Sequence, residues 1–290
     1  MISRLGFGTA QLGMSYGIAR TGAPLEASAA AAMLRRAREA GMDTLDTAIA
    51  YGGSECLLGS IGVDDWRVVT KVPPVPATRD DVQQWVDESV RGSLERLRIS
   101  GLYALLLHRS RDLSRDRGAA LHAALVALKA RGIVRKIGVS IYAPEELTET
   151  FNRFDLDLVQ APFNVFDRRL YTSGWLKRLH ANGVEVHVRS VFLQGLLLMP
   201  AERRPPQFGR WRPLWIAWDA WLRERGVDSL RACLSFVLAH EEIDRVIVGI
   251  DHAQQLAEIL DASTCPWVVP PVDLCSDDLD LINPTRWKAS

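Results

Sequence analysis

Asp46, Tyr51, Lys71 and His108 are the residues whose types and spacing suggest chemistry. Asp46 and Lys71 each close a short apolar run, so on neighbouring strands they form an ion pair at the floor of a site. Tyr51 follows Asp46 in the loop Ala48-Ile49-Ala50-Tyr51-Gly52-Gly53 and can fold back over that pair. A free tyrosine hydroxyl ionises near pH ~10. A nearby ammonium stabilises phenolate and lowers that value, which makes the hydroxyl a usable proton donor near neutrality. His108 can hydrogen-bond a substrate oxygen and orient it. A carbonyl held by Tyr51 and His108 is polarised for nucleophilic addition at carbon. Acyl transfer is not supported, because neither residue has the partner it needs and no Gly-x-Ser-x-Gly elbow is present.

Positioning these residues requires a repeated element. Apolar runs at 5–8, 42–46, 68–71, 102–108, 133–140, 158–161, 184–190 and 245–249 read as strands. Amphipathic segments at 26–40, 54–60, 80–98, 119–131, 144–151, 171–182, 228–240 and 253–260 read as helices, with Asp228 and Ser54 as N-caps. Strand followed by helix throughout predicts a (β/α)8 TIM barrel, in which active sites lie at the C-terminal ends of the strands. Asp46, Lys71, His108, Ser140 and Gln160 stand at such ends, and their convergence on one mouth carries the functional signal. A doubly wound dinucleotide fold fits poorly. Gly6-Phe7-Gly8-Thr9-Ala10-Gln11 lacks the third glycine, and residues 13–24 are turn-like where a helix should open. A Pro- and Arg-rich loop at 196–213 and an extra helix at 214–225 follow the seventh strand. Residues 1–290 read as a single barrel domain, with 266–290 as a C-terminal arm packing on it.

Composition excludes several classes. Hydrophobic residues make up 48% and charged residues 24%, which rules out disorder, collagen and coiled coil. Lys plus Arg and Asp plus Glu are 35 each, so a nucleic-acid partner, which demands a basic excess, is not expected. The most apolar stretch, 184–200, is broken by Glu185, His187, Arg189, Gln194 and Gly195, short of the roughly 20 apolar residues of a membrane span. The first residues lack an apolar targeting core. Four sparse cysteines without a Cys-x-x-Cys pair suggest reduced thiols in a cytoplasmic compartment. No His, Cys or Asp spacing suggests zinc.

With Gly6-Phe7-Gly8-Thr9-Ala10, the run from Gly41 through Asp46-Thr47-Ala48 and Tyr51-Gly52-Gly53-Ser54-Glu55, Val69-Thr70-Lys71 and Leu107-His108, the sequence resembles the aldo-keto reductase superfamily. The resemblance runs from about residue 5 to about residue 260. It implies an NAD(P)H-dependent carbonyl reductase with an Asp46–Tyr51–Lys71–His108 tetrad in which Tyr51 donates the proton. It also implies that Ser140 and Gln160 hold the nicotinamide amide and that the backbone from Phe192 through Leu193, Gln194 and Gly195 receives the pyrophosphate. Gly8, Thr9, Ser190, Gly249, Gln255 and Glu258 complete the cofactor site on the same basis. The chain departs from the pattern in places. Ile141 stands where asparagine is expected, Arg189 where an aromatic stacks on the nicotinamide, and Ile259 where asparagine meets adenine. Asp251 stands where the 2′-phosphate of NADP is met and would repel it, so the cofactor is NADP or NAD.

The substrate expected is a small-molecule carbonyl or sugar, anionic if Arg189 contacts it. A cofactor-binding regulatory barrel with little turnover and a sugar lyase or isomerase are the competing readings. Trp211, Trp215, Trp218 and Trp221 read as one apolar helix face, with an aromatic wall over the mouth as the alternative. Arg203, Arg204, Arg210 and Arg212 read equally as a solvated loop or an anion site. His187 and His252 are expected in packing or surface roles, and Cys56 is assigned no reactivity.

Overall fold

In the computed structural model, residues 2–14, 26–264 and 268–287 are described. Cys265 and Pro266, most of the segment 13–24 and the last residues of the arm lie outside them.

The strands are β1 (Leu5–Gly8), β2 (Thr44–Asp46), β3 (Arg67–Val72), β4 (Leu102–Leu107), β5 (Val134–Ser140), β6 (Leu158–Pro162), β7 (Glu185–Arg189) and β8 (Arg245–Gly249). They close in sequence order into a barrel, every neighbour parallel. The helices are α1 (Ala10–Gly13), α2 (Ala27–Glu39), α3 (Ser54–Ile61), α4 (Val82–Leu97), α5 (Gly118–Ala130) and α6 (Glu146–Thr150). The chain continues with α7 (Arg169–Thr172), α8 (Trp175–Ala181), α9 (Arg212–Arg225), α10 (Ser229–Leu238), α11 (Ala253–Ala262) and α12 (Leu279–Ile282). The barrel expected from the sequence is therefore the fold observed. Two local expectations fail. The helix expected at 171–182 is split into α7 and α8 by Gly174, whose φ of 78° no helix accommodates. Ser54 begins α3 without capping it; its hydroxyl donates to the Thr9 carbonyl instead, at 3.0 Å.

Register divides the strand residues between two faces. One face carries Leu5, Phe7, Leu45, Val68, Leu105, Leu107, Ile137, Val139, Val159, Val186, Val188, Val246 and Val248, all buried in the large core shared with the helices. Removing this apolar area from water is the main force closing the barrel. The other face is assembled by Cα partners such as Gly6↔Thr44, Thr44↔Arg67, Ala104↔Lys136, Leu158↔Glu185 and His187↔Arg245. Among the described residues its apolar content condenses into a small cluster of Val69, Ala104, Leu106 and Leu158.

On the N-terminal side of that cluster, charges are paired. Glu185 accepts from Tyr103 Oη at 2.7 Å, from His187 Nε2 at 2.7 Å and from Lys136 Nζ. Burial would raise the Glu185 carboxyl, but His187, Lys136 and Tyr103 hold it far below the carboxylate range. Burial, and then Glu185, raises the Tyr103 hydroxyl. His187 is thus an interior residue, fully buried on its strand, and its Nδ1 has no hydrogen-bond partner. His252 instead caps α11, its Nδ1 accepting from the Gln255 N–H at 3.2 Å.

The extra helix follows the apolar-face expectation. Trp215, Trp218 and Trp221 are buried, with Trp215 and Phe166 ring centroids 4.9 Å apart. The arm packs on this layer: Trp287 meets Phe208 edge-on at 4.9 Å, and Arg168 donates to the Pro271 carbonyl at 2.7 Å. Two of the loop arginines are paired with carboxylates, while Arg203 lines the main cavity described below. Arg204 pairs with Asp219 at 2.5 Å, and Arg210 with Asp278 at 2.6 Å.

Candidate active site

The C-terminal ends of β1, β2, β7 and β8 open on a cavity of about 630 Å³. Its wall includes Gly8, Thr9, Asp46, Tyr51, Arg189, Ser190, Phe192, Gln194, Gly195, Gly249, Asp251 and Gln255. Of the site residues expected from sequence, Lys71, His108, Ser140, Gln160, Leu193 and Glu258 are not on that wall.

Lys71 is buried beside it. Its ammonium donates to Asp46 Oδ1 at 2.8 Å, Asp46 Oδ2 at 2.7 Å and the Thr47 carbonyl at 2.8 Å. An ammonium has three N–H donors, so these bonds use its full capacity. Burial pulls the Lys71 pKa down, with help from the Arg189 charge, while Asp46 opposes both. Lys71 Nζ lies 5.2 Å from the Tyr51 ring centroid, and the His108 ring meets Tyr51 edge-on at 5.9 Å. Burial first, then the Lys71 and Arg189 charges, lowers His108 to about 4. Its imidazole is therefore neutral at physiological pH, with one N–H to donate and one nitrogen to accept.

Tyr51 is placed by backbone contacts. The turn is closed by Tyr51 N–H to the Ala48 carbonyl at 2.9 Å and by Ser54 N–H to the Tyr51 carbonyl at 3.0 Å. Beneath it, Ser54 Oγ donates to Thr9 Oγ1 at 2.9 Å and lies 3.2 Å from Thr47 Oγ1, all three side chains fully buried. The turn also rests on α1 without side chains between them. A Cβ on Gly13 would lie 1.9 Å from the Tyr51 carbonyl oxygen, and one on Gly52 2.4 Å from that of Gly13. Thr9, expected among cofactor ligands, has committed its side chain to this scaffold.

The cofactor residues separate into those that converge and those that do not. Gln160 is fully buried and donates Nε2 to Asp46 Oδ1 at 2.6 Å, while its Oε1 has no hydrogen-bond partner. Ser140 is its register partner at the end of β5. After β7 the backbone turns left-handed at Ser190 (φ 60°), Leu193 (49°), Gln194 (55°) and Gly195 (89°), coiling the loop along the wall. The Leu193 side chain itself is fully buried in the core, so only its backbone is available. Gly8 and Gly249 are paired across β1 and β8, leaving bare backbone beside the cavity. The Asp251 N–H donates to Gln255 Oε1 at 2.7 Å at the start of α11. Glu258 faces a separate cavity of about 420 Å³ with Asp228 and Asp261, which meets the first at Leu198 and Gln255. Glu258 is thus off the main wall, exposed and about a helical turn beyond Gln255, which lines both cavities.

Sequence reasoning passed over Gln11, Leu198, Met199, Pro200 and Ile247, which also line the cavity. Gln11 was visible only as the end of the Gly6–Gln11 string, and closure of β1 on β8 is what brings it against Gly249.

The residues present fit a bound dinucleotide. The wall offers strand-end backbone at Gly8 and Gly249 and the loop 190–195, and Gln160, bonded to Asp46 of that wall, keeps a buried Oε1 that can accept from an amide.

The aldo/keto reductase family model matches residues 4–268. Over 284 residues the chain is 29% identical to L-galactose dehydrogenase of Arabidopsis thaliana, covering 91% of this chain and 85% of that protein. It is 27% identical over 299 residues to D-threo-aldose 1-dehydrogenase of a Pseudomonas species, covering 89% and 88%. An aldo-keto reductase from Bacillus halodurans in its holo form has the same fold, with a TM-score of 0.73 at 22% identity over 92% of this chain and 88% of that one. No helix among the described residues is long and apolar enough to cross a membrane. With a closed eight-stranded barrel, a polar mouth and a family match over nearly its whole length, the chain belongs to the aldo/keto reductase family of NAD(P)-dependent oxidoreductases.

Proposed function

We propose that this barrel interconverts a small aldehyde, ketone or sugar carbonyl with the corresponding alcohol, using Tyr51 as general acid and, in reverse, general base. The observation that carries this reading is Tyr51 on the cavity wall, with the Lys71 ammonium 5.2 Å from its ring and neutral His108 at its edge. A bound dinucleotide supplies or accepts the hydride. Tyr51 transfers a proton to or from the substrate oxygen. Lys71, whose N–H groups are all engaged, acts by its charge rather than by handing over a proton. Asp46 holds that charge in place. His108 orients the carbonyl through its single N–H.

Gln160, with Ser140 beside it, holds the nicotinamide amide, and the backbone of 190–195 faces the pyrophosphate. The Asp251 carboxylate at the head of α11 favours a ribose without a 2′-phosphate, hence NAD over NADP, since like charges repel there. The two curated relatives are named for L-galactose and D-threo-aldose, which supports a sugar or a similar polyol as substrate. Sparse cysteines support a reducing, cytoplasmic setting, and residues 1–290 are read as one working domain.

Turnover of purified protein with aldoses and simple aldehydes, measured with each dinucleotide, tests the assignment. Tyr51→Phe is expected to lose at least ~10²-fold in turnover while still binding the dinucleotide. Wild-type turnover in that variant would remove Tyr51 from the chemistry.

A further inference from the structure

Arg189 closes β7 on the cavity wall, and its charge is not neutralised by any described carboxylate. The guanidinium donates Nη2 to the Ile141 carbonyl at 2.9 Å and Nη1 to Ser190 Oγ at 3.3 Å, and stacks 4.5 Å over the Tyr142 ring. Each of these partners is neutral. Four other half-buried arginines differ: Arg169 is bound to Asp167, Arg204 to Asp219, Arg96 to Glu55 and Arg245 to Asp43. Arg4 and Arg168 also donate to carbonyls, but neither lies on the cavity wall.

Groups around Arg189 do not offset it. Asp167, within its electrostatic reach, is committed to Arg169 at 2.8 Å. Asp46 is committed to Lys71. His108 is neutral, and both His108 and Lys71 register the Arg189 charge as an unfavourable neighbour. Arg109, next to His108 on the exposed rim, adds positive potential. Asp251 and Arg203, both also on the wall, offset one another in sum, and Asp46 is offset by Lys71, so the mouth keeps the positive charge of Arg189.

Reduction moves two electrons and a proton, as hydride, from the dinucleotide to the carbonyl carbon. A proton from Tyr51 goes to the carbonyl oxygen. The dihydronicotinamide ring, neutral at the start, ends as a cation. Hydride transfer requires that ring to lie within bonding reach of a carbonyl beside Tyr51, whatever its orientation. It must therefore sit in the field that Arg189 dominates.

We infer that Arg189 biases this enzyme toward reduction, by making the site hold the neutral, reduced dinucleotide more tightly than the cationic, oxidised one. The inference rests on the reading given under Proposed function. It makes the chain a reductase by preference, although the relatives above carry dehydrogenase names.

The test is equilibrium binding of NADH, NAD+, NADPH and NADP+ without substrate, read by quenching of the nine tryptophans. Wild-type protein is expected to bind the reduced member of its preferred pair at least about tenfold more tightly, a difference of ~1.4 kcal/mol. Arg189→Gln should bring the ratio toward one, while Arg189→Lys, which keeps the charge, should preserve it. An unchanged ratio in Arg189→Gln overturns the inference. So does an equal loss for both oxidation states, which would make Arg189 a phosphate contact. Tighter binding of the oxidised form by wild-type protein overturns it too, while leaving the oxidoreductase assignment standing. Absence of any dinucleotide binding would sink that assignment and the inference together. Circular dichroism of each variant keeps loss of fold separate from loss of binding.

Discussion

Each end of the barrel carries a carboxylate, a lysine, a tyrosine and a histidine. At the C-terminal end they are Asp46, Lys71, Tyr51 and His108, and at the N-terminal end Glu185, Lys136, Tyr103 and His187. Even the lysine–tyrosine approach is alike, 5.2 Å from ammonium to ring centroid above and 5.6 Å below. The difference lies in what the carboxylate is asked to do. Glu185 gathers the tyrosine, the lysine and the histidine onto itself, so the Tyr103 proton is held by a carboxylate and its ionisation is pushed up. Asp46 accepts from Lys71 and Gln160, and Tyr51 stands on the cavity wall. Residue types alone do not make an acid catalyst. On the reading proposed above, the place of Tyr51 on the cavity wall is what separates it from Tyr103.

The largest expected contrast is between the tyrosines. Tyr51→Phe should remove at least ~10²-fold of turnover, whereas Tyr103→Phe should change turnover by no more than about threefold and instead cost ~1.5–3 kcal/mol of stability for its bond to a charged group. A catalytic collapse in Tyr103→Phe would break the comparison. The lysines come next. Lys71→Met leaves Asp46 buried without its partner, at about 3–5 kcal/mol in denaturant unfolding. Lys136→Met should cost roughly 1 kcal/mol, because Glu185 keeps two other donors and Lys136 is partly exposed.

Acid should separate the two ends further. Glu185 is held below its ordinary value, so its contribution to stability is full above about pH 4.3 and is lost as pH falls below that. Glu185→Gln is expected to flatten the acid limb of thermal unfolding, with the wild type steeper. The smallest effect concerns His108. Its folded value of about 4 lies below the ordinary 6.5, so the stabilising neutral form is complete above about pH 6.5 and the benefit fades as pH falls toward 4. The His108 imidazole resonance should titrate near pH 4. Titration near 6.5 would mean that neither burial nor the positive charge of the mouth acts on it.

The barrel itself was legible because eight apolar strand runs, several ending in a polar residue, alternate with helical segments. Asp46, Tyr51 and Lys71 were legible because Tyr51 lies in the loop that leaves Asp46 and because Lys71 is on the adjacent strand. Glu185 was visible merely as an interruption of an apolar stretch. Its alternation with His187 and Arg189 is the period of a strand facing a polar interior. The partner Tyr103 is 82 positions away, and only barrel closure brings it across. That Glu258 meets a second cavity was not legible, because spacing along α11 does not reveal which cavity a helix face meets. The scaffolding role of Thr9 was hidden for a similar reason: Ser54, its partner, is 45 positions away.

Gln160 and His187 are register partners on β6 and β7, yet Gln160 Oε1 and His187 Nδ1 each end without a hydrogen bond. Beside them stand Val69, Ala104, Leu106 and Leu158. The polar column through the barrel is thus broken at its middle among the described residues. Asp46 and Glu185 head separate hydrogen-bond networks, so a substitution at one end is expected to leave the bonds at the other in place.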